Sequence, residues 1–147
     1  ATVLTAYLGN WDDVSAGKEQ ALALIQRGAD VIFQNADAAG LGVFQATKER
    51  QGIAVIGSNS NQNGVAPGLV LGSVVIDLPH AFLLVAKEVA GGTFRGRVIP
   101  LGMRDDVVRW EPAEVLLTRL PPAFAARMDS TRLAMQAGRF PMPALTP

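Results

Sequence analysis

Three stretches of this sequence place amide, acidic and aromatic side chains where the chain is expected to reverse. They are Gly9-Asn10-Trp11-Asp12-Asp13, residues 35–42 and residues 58–67. Together they carry Asn10, Trp11, Asp12, Asn35, Asp37, Asn59, Asn61, Gln62 and Asn63. A carboxamide both donates and accepts hydrogen bonds, which suits a neutral ligand that is hydroxyl-rich or heterocyclic. An indole adds a face on which a planar ring can stack. Asn, Asp and Gly are also ordinary turn residues, so each loop alone has a purely structural alternative.

Other chemistries find less support. Gly40-Leu41-Gly42 lacks the third glycine of a dinucleotide fingerprint and stands five residues from the preceding strand-like run. No Gly-Lys-Ser/Thr follows, so the phosphate-loop pattern fails too. The glycines instead suit close approach of helix N-terminal amides to some other polar ligand. His80 is the only histidine and there is no cysteine, which excludes the usual zinc sets of three or four ligands. The acidic pairs Asp12-Asp13 and Asp105-Asp106 have the composition of a magnesium or acid–base site, but adjacent side chains diverge and helix capping accounts for the first pair. Ser58 and Ser60 lack the strand-to-helix turn that activates a serine nucleophile. The sequence therefore supports neither catalysis nor a cofactor.

The elements that would position these loops follow from periodicity. Residues 2–8 are β-branched and apolar and read as a buried parallel strand. Asp12 or Asp13 caps a helix to about Arg27, with Val14, Ala21, Leu22 and Ile25 facing inward and Gly28 ending it. Residues 30–34 and 53–56 are further strands, with a helix from Gly42 to about Arg50 between them. In the second half, residues 69–76 read as a strand and Pro79 opens an apolar helix to Ala90. Residues 97–99 and 106–110 are short strand candidates, residues 121–137 an amphipathic helix, and residues 140–147 a proline-bearing tail. Alternating strands and helices predict an α/β fold with a parallel sheet flanked by helices. Ligands of such sheets bind beyond the carboxyl ends of the strands, and all three amide-bearing loops fall there.

Composition sets the outer bounds. The chain has 147 residues, with 13 Lys plus Arg against 13 Asp plus Glu. That length suits a single domain over residues 1–147, and the balanced charge gives no electrostatic footprint for nucleic acid. No apolar run approaches the roughly 20 residues of a membrane span. Residues 1–8 lack the basic start of a signal peptide, so the segment reads as a mature domain or a piece of a longer protein.

At the loops the sequence takes on a family likeness. Gly9-Asn10-Trp11-Asp12-Asp13 with Gly17-Lys18-Glu19-Gln20-Ala21 resembles a stretch of the basic membrane protein family, substrate-binding lipoproteins of ABC importers best known for purine nucleosides. Gly28-Ala29-Asp30-Val31-Ile32, residues 36–43, residues 56–62 and residues 66–73 are similar to further motifs of that family, and the likeness covers about residues 5–110. The resemblance implies a type 1 periplasmic-binding-protein-like fold of two lobes, of which this chain is the second. It implies an extracytoplasmic location, a lipoprotein anchor in the full-length form, an ABC permease as partner, and a purine or nucleoside-like ligand. Carried onto this sequence, the ligand contacts fall at Trp11, Asn35, Asp37, Gly40 and Asn59. The aspartate with which the family takes ribose hydroxyls falls at Asn59 and a family lysine at Ile76, so a free purine or another small polar molecule stays open. An apolar helix at residues 81–85 facing a missing lobe implies a homodimer of the isolated chain. The alternatives are the effector-binding lobe of a transcription regulator and a small magnesium-dependent enzyme of doubly wound fold.

Overall fold

The computed structural model describes residues 2–141. Helix α1 (Val14–Gln26) leads to strand β1 (Val31–Phe33), then through a 3-10 turn (Asp37–Ala39) to helix α2 (Gly40–Lys48) and strand β2 (Ala54–Asn59). Strand β3 (Val70–Ile76), helix α3 (Leu78–Ala90), a second 3-10 turn (Met103–Asp105), strand β4 (Val108–Pro112) and helices α4 (Glu114–Arg119) and α5 (Pro122–Gln136) follow. The strands form one sheet in the order β1-β2-β3-β4. The fold class is α/β, as the alternation of patterns predicts, but the sheet is mixed and not wholly parallel. β4 runs antiparallel to β3, with the Ala113 N–H on the Leu71 carbonyl and the Asp77 N–H on the Val107 carbonyl.

The chain forms two compact units. Among the described residues, one holds residues 2–74 together with Trp110–Thr118, and the other holds Val75–Arg109 with residues 119–141. The first unit contains the hydrophobic core: Ala21, Ile32, Val43, Phe44, Ala46, Val55, Ala66 and Val70, with Leu22, Ile25 and Ile53 packed against it. Full burial of Phe44 alone contributes about 2–3 kcal/mol. β1 and β2 are parallel, with Val31 opposite Ala54 and Phe33 opposite Ile56, so their C-terminal ends lie at the same edge.

Local chemistry explains these elements. The Asp13 carboxylate accepts the Ala16 N–H at 2.9 Å and caps α1. Gly28 stops α1 at φ +94°, a conformation that penalises any side chain. α1 and α2 pack closely because Gly17 and Gly42 lie in their contact. A Cβ on Gly17 would strike the Ala39 carbonyl, and one on Gly42 would strike the Val14 carbonyl. On β3, Gly72 leaves room for the Trp110 indole of β4. In the second unit Asp77 caps α3, accepting the His80 N–H at 2.9 Å, and also pairs with Arg109 at 2.9 Å.

Several expectations need correction. Residues 2–8 form no strand; they run without a ladder, and Val3 and Tyr7 are almost fully exposed. The reason lies in β1, which is the outermost strand and only three residues long, so its outer edge offers too few backbone groups to hold a seven-residue partner. Residues 97–99 are not a strand either: Arg97 is drawn to Glu88 at 2.8 Å and Val98 is exposed. The helix expected at residues 121–137 forms as Pro122–Gln136, and it buries no residue. α4 has no counterpart among the sequence expectations, and most of the proline-bearing tail lies outside the described residues. No helix among the described residues is long and apolar enough to cross a membrane.

Candidate functional site

The parallel pairing of β1 with β2 brings two of the three loops together. β1 runs out into Gln34, Asn35 and the turn containing Asp37, while β2 ends at Asn59. The Asn59 Nδ2 stands 3.5 Å from Asp37 Oδ1, at the long limit of a hydrogen bond. Both residues adopt left-handed backbone, with φ 49° at Asp37 and φ 65° at Asn59. Such conformations cost about 1–2 kcal/mol for most side chains and least for Asn and Asp. Two of them meeting at one sheet edge is a built feature of the rim.

The third loop joins the same rim. Asn10 Oδ1 accepts the Asp12 and Asp13 N–H groups at 3.1 and 2.8 Å, folding the segment that carries Trp11. The Trp11 carbonyl accepts the Ala39 N–H at 2.8 Å and ties this segment to the turn after Asp37. Trp11 stays 59% exposed, so its indole faces outward and is not core. Trp11 and Asn35 line a cavity of about 380 Å³ whose walls include Tyr7, Leu24, Phe33 and Val43. Asp37, Gly40 and Asn59 lie outside that lining, along the adjoining rim.

Gly40 has a structural role besides. It is buried, its N–H reaches the Ala36 carbonyl at 3.3 Å, and a Cβ there would collide with Gln34 Oε1. The amides of residues 61–63 are likewise engaged within the fold. Gln62 Oε1 accepts the Gln34 Nε2 at 2.6 Å and the Ser58 N–H at 3.0 Å. Buried Ser73 accepts the Gln62 N–H at 3.0 Å and donates to Asn63 Oδ1 at 2.8 Å. Asn61 Nδ2 donates to Glu111 at 2.6 Å. For these three residues the turn-and-scaffold reading of an amide-rich loop prevails. Gln34, only 4% exposed, escaped the sequence reading because a Gln ending an apolar strand looks like a surface residue. A buried amide must be paired, and the partner sits 28 residues away.

Three of the four carboxylates in the acidic pairs are engaged within the fold. Asp13 caps α1, Asp105 accepts the Gly102 N–H at 2.9 Å, and Asp106 accepts from Gln136 Nε2 at 3.2 Å. Among the described residues no group of three metal-ligating side chains converges.

Residues 1–129 are matched by a family model for ABC transporter substrate-binding proteins of the PnrA-like type. The chain belongs to the Bmp family. Basic membrane protein B of Borrelia garinii subsp. bavariensis is 34% identical over 110 residues, covering 72% of this chain and 32% of that protein. A protein of Brucella abortus named as purine-binding is 27% identical over 136 residues, covering 92% of this chain and 37% of its own length. Among solved structures, a transcriptional activator of the comK gene from Bacillus halodurans superposes with a TM-score of 0.77 at 25% identity, covering 92% of this chain and 47% of that one. The Bmp chain described here thus spans about a third of the length of the curated relatives it matches.

Proposed function

We infer that this Bmp-family chain is the ligand-binding lobe of an extracytoplasmic solute receptor that delivers a purine or nucleoside-like molecule to an ABC permease. Trp11 stacks on the planar ring, Asn35 and Asn59 exchange hydrogen bonds with its heteroatoms or hydroxyls, and Asp37 and Gly40 shape the adjoining wall. No bond is made or broken; the ligand is held and released. In the full-length protein a second lobe closes the cleft and a lipid anchor holds the receptor at the membrane.

The observation that carries this reading is the convergence of the Trp11 loop, the Asn35–Asp37 loop and the Asn59 end of β2 on one edge. The cavity supports it too: about 380 Å³, largely apolar, with Tyr7, Trp11 and Phe33 beside a few amides, a mixture typical of sites for flat heterocycles. The purine-binding name of the Brucella relative points to the same ligand class.

The test is an NMR titration of the 147-residue chain with adenine, guanine, adenosine and guanosine. Shifts should concentrate on the Trp11 indole N–H and the Asn35 and Asn59 side-chain amides. With one wall only, affinity should be weak, roughly millimolar. Saturation with no shift at the rim, or submicromolar binding by this lobe alone, would contradict the reading.

The likeness to the comK activator favours a second reading, in which the lobe binds an effector for a transcription regulator. A DNA-binding helix-turn-helix encoded in the same gene would support it, whereas a lipoprotein signal would support the receptor.

A further inference from the structure

The geometry assigns Gln34 and Gln62 a positioning role: their amide pair sets the two strand-end loops of the rim in register, a role that rests on the ligand site proposed above. The orientation of both amides is fixed by their neighbours. The Ser58 group at this contact is its backbone N–H, which can only donate, so the Gln62 atom 3.0 Å from it is the oxygen. Gln34 must therefore present its Nε2 to that oxygen, at 2.6 Å. This leaves Gln34 Oε1 for the Ala36 N–H, at 3.2 Å. Donation runs from Ala36 N–H through Gln34 to Gln62 Oε1, where the Ser58 N–H arrives from the other side.

Each end of that chain stands beside a rim residue. Ala36 lies between Asn35 and Asp37, and Ser58 precedes Asn59. The fold makes room for the pair on both sides. A Cβ on Gly40 would strike Gln34 Oε1, and a Cβ on Gly57 would come within 2.8 Å of Gln62 Oε1. Buried Ser73 holds the Gln62 backbone from behind. Among the described residues the pair makes no hydrogen bond to the side chains of Asn35, Asp37 or Asn59, so it acts by placing their backbone.

Direction of donation makes the role testable. Gln62→Glu keeps an oxygen for both Gln34 Nε2 and Ser58 N–H. Gln34→Glu sets a carboxylate against the Gln62 oxygen and removes the only donor between them. Gln34→Met removes the donor without adding charge, in case the glutamate variant does not fold. Residue-resolved amide exchange and titration with adenine and adenosine are measured on all three and on the wild type. Both Gln34 variants should speed exchange at residues 35–37 and 58–60 on the order of tenfold and weaken binding similarly, while Gln62→Glu stays within about twofold. The role is overturned if Gln62→Glu does equal damage, if exchange rises evenly over α1 and α2, or if binding holds while the loops loosen. If the exchange pattern appears but the wild type binds no purine or nucleoside, the register role stands and the ligand reading falls.

Discussion

The carbonyl of Trp11 accepts the amide of Ala39 across 2.8 Å and ties the loop before α1 to the turn before α2. That single bond carries an exposed indole to the same edge as Asn35, Asp37 and Asn59. Because the bond is made by backbone, the Trp11 side chain is free to be changed without loosening the loop.

Trp11→Ala should therefore leave thermal stability nearly unchanged. It should weaken adenine or guanine binding by about 1 kcal/mol, roughly fivefold, with Trp11→Phe retaining most of the affinity. NMR titration of the three proteins measures both effects. An affinity unaffected by Trp11→Ala would remove the indole from the site.

Gly42→Ala should be severe. The added methyl would strike the Val14 carbonyl and lie 2.5 Å from the Lys18 amide nitrogen, both backbone atoms that cannot swing away. Forcing α1 from α2 should cost about 3 kcal/mol, read as a fall in the urea midpoint. Gly64→Ala, with open space around its Cα, is the control and should change little.

Asp77 should make stability acid-sensitive. The His80 backbone N–H, and then the Arg109 guanidinium, hold its carboxyl below the usual aspartate range. A group whose pKa is lowered by folding stabilises the native state above its unfolded pKa, and that contribution is lost as pH falls through the folded value. Urea midpoints should thus drop on acidification below the ordinary aspartate range, and drop less in Asp77→Asn. Asparagine still accepts from His80 N–H, so at neutral pH this variant should lose only part of the cap and ion-pair stabilisation. Equal acid sensitivity in both proteins would exclude Asp77 as the source.

α3 should drive self-association. It buries no residue, and Leu78, Phe82, Leu83 and Val89 are all exposed, Phe82 at 73%. An apolar helix face of this kind is a contact site. Sedimentation velocity should show concentration-dependent dimers that Phe82→Glu abolishes; a monomer at high concentration would count against the homodimer.

Much of the α/β architecture was legible in the sequence. Asp13, Gly28, Asp77 and Pro79 sit where caps and stops belong, and apolar runs with the right flanks marked β1, β2 and β3. These features depend on neighbours a few residues away, which a linear pattern records. The segment at residues 2–8 shows the limit. Its composition is that of a strand, but a strand exists only if another edge can bond it, and three-residue β1 does not supply one.

The same division runs through the rim. The sequence alone determined which side chains lie in the loops after β1 and β2, and with them the family likeness that the comparison bears out over residues 1–129. Only the tertiary structure decided which amides stay exposed and which are engaged: Asn35 and Asn59 are exposed, while Gln34 and Gln62 hold each other. A carboxamide has the same propensities either way. Whether its hydrogen bonds are made to the fold or left for another molecule depends on groups that are remote in sequence and near in space.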